Sequence, residues 1–268
     1  MSLIENIQRA VEIGTSSSYV WFRGHSKTYN LLTPGIFRPE TELFEQIPIN
    51  FGMRSSDFRI EHLIMEEFIR RAPSLENNLP PKEDYLSWLF FMQHYSTPTR
   101  LLDWTESILV ALYFAVYQEP ESDGEIWVLS PYKLNELNEN VGYSMPTPNN
   151  RIVKFLADEP MHTNPEKLAK DLNIEIPKYP LAIHAPMAFS RIVNQRGTFT
   201  IHLKPKEGFT LTEILNDEKG LNRYIVPAGC KNKLRQDLAK LGINHVTLFP
   251  NLDSLSKTIV DELHDFKY

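Results

Sequence analysis

The chain has 268 residues, with 28 Lys+Arg against 34 Asp+Glu, a formal net charge of -6, and 42% hydrophobic and 23% charged residues. This composition excludes disordered, collagenous and coiled-coil classes and supplies enough apolar side chains for a sizeable core. Mild net acidity argues against a protein that coats nucleic acid electrostatically, although it leaves room for a local basic cleft. No run reaches the roughly 20 apolar residues of a spanning helix, and Met1 to Ile13 carries acids without an apolar signal-peptide stretch, so a cytoplasmic protein with no membrane partner is expected. The single cysteine, Cys230, excludes an intramolecular disulfide and a multi-cysteine zinc site.

In chain order, Tyr19-Val-Trp-Phe is β-branched and aromatic, bounded by Ser16 to Ser18 and by Gly24, which predicts a buried strand ending at Arg23. Asp57 and Glu61 open a helical pattern through Phe58, Leu63, Ile64, Phe68 and Ile69, stopped by Pro73. A second helix starts near Glu83 and Asp84, carries Tyr85 to Met92, and delivers Gln93 and His94. Thr97 to Trp104 is a loop feeding a short extended stretch, because Pro98 disfavours helix before it. Ser107 to Tyr117 is apolar almost all round and predicts a buried helix, and Glu125 to Ser130 predicts a strand. Residues 134–180 are rich in Asn, Pro and charge, with a short helix at Pro165 to Asp171, and read as an insertion or lid. Arg191 to Leu203 alternates as strands around Gly197, Lys231 to Leu241 is a basic amphipathic helix, Asn244 to Phe249 a strand and Leu252 to Phe266 a final helix. The order predicts one α+β domain over 1–268 with a central mixed or antiparallel sheet, its core at 14–133 and 181–268.

Three polar clusters stand out from this frame. Phe22, Arg23, Gly24 and His25 put a cation at a strand end beside a glycine, which suits bidentate phosphate or carboxylate binding or, equally, an ion pair with Asp103. His25 suits a ribose hydroxyl or a turn cap. Gln93 to Thr105 crowds His94, Tyr95, Ser96, Arg100, Asp103, Trp104 and Thr105 between two apolar helices, a density that packing alone explains poorly. Tyr95 and Trp104 are either stacking platforms or core residues with a satisfied polar tip. Arg191, Asn194, Gln195, Arg196 and Gly197 form the third cluster. No Walker loop, dinucleotide glycine fingerprint, HExxH, nucleophile elbow or EF-hand loop is present, and the eight histidines lack ligand-like spacing, so no metal site is expected.

These residues resemble the bacterial FRG domain, a family named for the Phe-Arg-Gly found here at Phe22, Arg23 and Gly24. The likeness runs through Gln93, His94 and Tyr95, Pro98 to Thr105 (PTRLLDWT), Ala111 to Ala115 (ALYFA), Arg191, Gln195, Gly197 and Phe199, and Leu248 to Asp253 (LFPNLD). The layout is also similar, at fold level, to ADP-ribosyltransferases. That likeness implies NAD as co-substrate, with Arg23, Asp103 and Gln195 as the catalytic set and Arg23, His25, His94, Tyr95, Arg100, Trp104 and Thr105 as cofactor contacts. Within it, Arg23 meets a phosphate, Tyr95 or Trp104 stacks, His94 and Thr105 hold ribose, and Gln195 lies near the scissile bond. It further implies a nucleic-acid or protein acceptor, in a toxin or phage-defence setting with an antitoxin or defence-system partner. Gln195 departs from the glutamate such transferases carry, since an amide is no base, so Asp103 takes that part or the protein binds a nucleotide without turning it over.

The competing reading is a non-catalytic sensor that binds a nucleotide or nucleic acid through Arg23, Arg100 and the helix bearing Lys231, Lys233, Arg235 and Lys240. A hydrolase using His94 and Asp103 lacks an activated nucleophile, unless Ser96 serves as one.

Overall fold

The computed structural model describes residues 2–13, 19–29, 32–38, 59–162, 164–187, 189–203, 210–215 and 220–265. Their element order is α1 (Leu3–Ile13), β1 (Trp21–His25), α2 (Arg59–Arg71), α3 (Tyr85–His94), β2 (Leu101–Thr105), α4 (Ile108–Val116), β3 (Gly124–Leu129), α5 (Pro131–Glu136), α6 (Arg151–Asp158), α7 (Pro165–Asp171), β4 (Leu181–Ile183), α8 (Ser190–Asn194), β5 (Gly197–Ile201), α9 (Leu211–Ile214), β6 (Leu221–Val226), α10 (Lys231–Lys240), α11 (His245–Leu248) and α12 (Leu252–Asp265). The strands form one six-stranded sheet in the order β4-β5-β2-β1-β3-β6, and every pairing is antiparallel. The α+β expectation holds, with the sheet antiparallel rather than mixed. Asp57 and Phe58, expected at a helix start, lie outside the described residues, as do Ser16 to Ser18.

Strand alternation sorts side chains between the two faces. On one face, α3 and α6 cover β2, β4 and β5 through Phe90, Phe155, Leu101, Phe199 and Ile201. Beside them α4 and α10 cover β1, β3 and β6 through Phe22, Leu112, Ile126, Val226 and Leu234. The other face collects Trp21, Leu102, Trp104, Trp127 and Leu129 beneath Leu134 of α5 and Leu211 and Ile214 of α9. Burial of this much apolar surface supplies the main driving force for folding. Within 134–180, α6 buries Ile152, Val153, Phe155, Leu156 and Ala157 in the same cluster as α3.

Two glycines let α4 settle on the sheet. A Cβ on Gly24 would lie 1.9 Å from the carbonyl oxygen of Ala111, and one on Gly124 would lie 2.4 Å from that of Ala115. The glycine beside Arg23 thus serves close helix packing, as well as bordering the cavity described below.

Two predicted strands are helices instead. Arg191 and Asn194 lie in α8, and only Gly197 onward is extended. Arg196, at φ 46°, takes the left-handed conformation that ends the helix, so the turn comes one residue before the glycine. Asn244 to Phe249 holds the single turn α11: Asn244 Oδ1 accepts from Thr247 N at 3.0 Å, and Thr247 Oγ1 accepts from Asn244 N at 3.0 Å. That reciprocal capping outweighs the strand preference of Val246 and Thr247. The remaining predicted helices and strands agree to within a few residues.

Candidate functional site

The β1–β2 ladder is the weak seam of the sheet. It pairs at Phe22↔Thr105, whereas β1 pairs with β3 along all five residues from Trp21 to His25. Beyond Phe22 the strands part, and the Arg23 guanidinium bridges the gap: Nη1 donates to the Asp103 carbonyl oxygen at 2.6 Å and lies 3.7 Å from Asp103 Oδ2. This opening coincides with the junction between the α3/α6 and α4/α10 layers. There a cavity of about 160 Å³ is lined by Phe22, Arg23, Gly24, Asp103, Trp104, Thr105, Val110, Phe114, Arg191 and Gln195. A recess of about 30 Å³ adjoins it through Asp103, Trp104, Arg191 and Gln195, and adds Phe90, Gln93, His94 and Phe199. Residues from all three polar clusters of the sequence therefore converge on one place.

Charge in this cavity comes from two arginines and one carboxylate. Burial lowers the Arg23 pKa to about 10, with Asp103 pulling the other way, so the guanidinium stays charged at neutral pH. Burial likewise lowers Arg191, again opposed by Asp103. Arg191 is held by Nη1 donating to the His94 carbonyl oxygen at 2.9 Å and by its guanidinium lying 4.7 Å from the Phe249 ring centre. Asp103 is half-exposed and is oriented by a relay in which Thr99 Oγ1 donates to Gln93 Oε1 at 2.6 Å and Gln93 Nε2 donates to Asp103 Oδ2 at 2.8 Å. A desolvated pair of guanidinium groups beside an oriented carboxylate suits an anionic ligand that develops positive charge elsewhere.

The other expected site residues divide by geometry. Gln195 borders both spaces, its Nε2 donating to the Leu248 carbonyl oxygen at 3.1 Å. His94 borders the recess and stacks on Phe189 at 5.1 Å, and burial, then the Arg191 charge, lowers its pKa. Its buried Nδ1 has no hydrogen-bond partner among the described residues. Thr105 lines the cavity, but its hydroxyl donates to the Gln195 carbonyl oxygen at 2.7 Å and its Oγ1 accepts from Ser107 N at 3.0 Å. Its hydroxyl thus fixes the third cluster against β2.

Four further expected residues have partners or placements of their own. Both ring nitrogens of His25 are occupied, Nε2 accepting from Arg23 Nε at 2.8 Å and Nδ1 meeting Glu125 Oε1 at 2.8 Å, so it does not face a ribose. Arg100 is fully buried, with Nε on Glu61 Oε2 at 2.7 Å and Nη1 on Glu159 Oε2 at 3.1 Å, and it ties α2 and the end of α6 to β2 rather than meeting a cofactor. Trp104 borders the cavity, but its ring packs with Trp21 and Leu102 on the opposite face, where Nε1 donates to Thr200 Oγ1 at 3.1 Å. Tyr95 is largely exposed and packs edge-on against Phe91 and His94, outside the cavity wall. The basic helix is also less available than its sequence suggests: Lys231 is buried on three carbonyl oxygens, and Lys233 pairs with Asp237 at 2.8 Å.

Arg191 and Gln93 line the cavity or its recess but are absent from the expected site set. Reading 191–196 as a strand hid the relation between Arg191 and Gln195, which lie four residues apart at one helix end and so share a face. Among the described residues no group of three or more His, Cys, Asp or Glu side chains gathers as metal ligands. No helix among them is long and apolar enough to cross a membrane.

No curated protein and no solved structure matches the chain. Comparison with known families matches residues 18–124 to the FRG domain. The match contains β1, α3, β2 and α4, and hence Arg23, Gln93, His94 and Asp103, whereas Arg191 and Gln195 lie beyond it. This match assigns residues 18–124, about two fifths of the chain, to the FRG domain.

Proposed function

We propose that the cavity binds NAD and that the chain transfers its ADP-ribosyl group to a macromolecular acceptor. The observation that carries this reading is that Arg23, Arg191 and the oriented Asp103 carboxylate line one cavity. The two guanidinium groups take the pyrophosphate, and the cavity and recess are sized for one end of the dinucleotide, a ribose or a flat ring. In the reaction the bond between ribose C1′ and the nicotinamide nitrogen breaks, and its electron pair leaves with neutral nicotinamide. The resulting oxocarbenium ion is stabilised by Asp103. The acceptor nucleophile then bonds to C1′ and gives its proton to Asp103 or water. Positioning and fixed charge supply most of the rate.

Asp103 fills the part that Gln195 cannot, because an amide offers neither negative charge nor a base. Asp103→Asn is expected to bind NAD within a few-fold of wild type while nicotinamide release falls on the order of 100-fold. A binding-only reading is favoured by one feature, the engagement of Asp103 by both Arg23 and Gln93. It becomes the account of this site if wild-type protein binds NAD but releases no nicotinamide with any acceptor.

A further inference from the structure

His25 and Glu125 face each other directly across the β1–β3 ladder, on the same side of the sheet as Arg23. Glu125 is completely buried, and its Oε1 takes two contacts, from His25 Nδ1 at 2.8 Å and from the Tyr29 backbone N–H at 3.0 Å. The other nitrogen of His25, Nε2, stands 2.8 Å from Arg23 Nε. An arginine Nε only donates, so Nε2 must carry a lone pair, and the imidazole proton must then sit on Nδ1, where a carboxylate oxygen waits for it. The three side chains form a one-way relay from Arg23 through His25 to Glu125. Its outer end is anchored in turn, since Arg223 of β6 lies 3.7 Å from Glu125 Oε2.

The consequence falls on Arg23. Its Nε is held by His25 and its Nη1 by the Asp103 carbonyl oxygen, which fixes the guanidinium plane. Nη2 is left as the terminal nitrogen without a hydrogen bond among the described residues, in a side chain that lines the cavity. We infer that Glu125 and His25 are positioning residues: by imposing the Nδ1–H tautomer they aim Arg23 Nη2 at an anionic ligand, although neither touches that ligand. Should His25 take the other tautomer, Nε2–H and Arg23 Nε–H would be two donors facing each other, and the guanidinium would turn away. The inference rests on the NAD-binding reading for its ligand, but the tautomer itself does not depend on that reading.

Two variants of Glu125 separate positioning from mere support. Glu125→Gln keeps a carbonyl acceptor for His25 and the Tyr29 N–H, whereas Glu125→Leu fills the space and removes it. Nitrogen-15 NMR of the wild type is expected to show His25 neutral with Nε2 unprotonated, a pattern kept in Glu125→Gln and lost in Glu125→Leu. NAD affinity, by calorimetry, is expected to stay within about threefold for Glu125→Gln and to fall about tenfold for Glu125→Leu, with both variants folded by circular dichroism. An Nε2-protonated His25 in the wild type, or a folded Glu125→Leu that binds NAD as tightly as wild type, overturns the inference. If the wild type binds no NAD, the binding reading fails, and the His25 spectra of wild type and Glu125→Leu alone decide whether the relay exists.

Discussion

Arg100 and Arg191 both sit in polar clusters of the sequence, both are largely removed from water, and only their partners distinguish them. Arg100 faces two buried carboxylates, Glu61 and Glu159, drawn from segments 39 and 59 residues away. Arg191 faces a backbone carbonyl, an aromatic ring and open space. Removing one member of a buried ion network leaves the others uncompensated, so Arg100→Met is expected to cost about 3–5 kcal/mol in urea unfolding. Provided the variant folds, its NAD affinity should match that of wild type. A loss of affinity without a loss of stability would return Arg100 to the ligand. Residue type and spacing mark both arginines as significant, but the identity of Arg100 as structural depends on long-range pairing that no local pattern encodes.

At the level of elements, the site exists because β1 and β2 pair at one end and part at the other, and because α4 is pressed against the neighbouring strands. Gly24 makes that contact possible. Adding a single methyl there would drive it into the Ala111 carbonyl, so Gly24→Ala is expected to destabilise by about 1–3 kcal/mol, or more if α4 cannot shift. Thermal unfolding measures this, and an unchanged midpoint would mean that α4 is not held as tightly as the geometry requires. The elements with strong periodicity or a clear stop, such as α3 after Pro80 and Pro81 and the uniformly apolar α4, were legible in the sequence. The short ones were not. In α8 and α11 a few local hydrogen bonds, Gln195 N to Arg191 O and the Asn244–Thr247 pair, decide the conformation against β-branched residues that favour strand.

Over the whole molecule, two buried histidines couple stability to pH. Burial, helped by the Arg23 charge and opposed by the hydrogen bond to Glu125, holds His25 down at about 4, and burial with Arg23 and Arg100 nearby holds His202 down at about 3. His202 Nε2 ends a second chain, lying 2.8 Å from Thr200 Oγ1, which accepts the Trp104 N–H. Both histidines titrate near 6.5 once unfolded, so the unfolded chain takes up their protons first, and stability that is full above about pH 6.5 is lost as pH falls toward 4 and below. Urea midpoints are expected to drop steadily from about pH 7.5 to 5, and to drop less steeply in His202→Gln. An equally steep fall in that variant would place the acid sensitivity elsewhere.

Arg23 and Arg191, 168 positions apart in the chain, line one cavity at the opened β1–β2 seam, the site proposed above for an anionic ligand. The most direct measurement is calorimetric titration of NAD into wild type, Arg23→Ala and Arg191→Ala, with folding checked by circular dichroism. Micromolar-range binding to wild type that weakens at least tenfold in each folded variant is the predicted result. Binding by the wild type that both variants retain, or no binding at all, would contradict it.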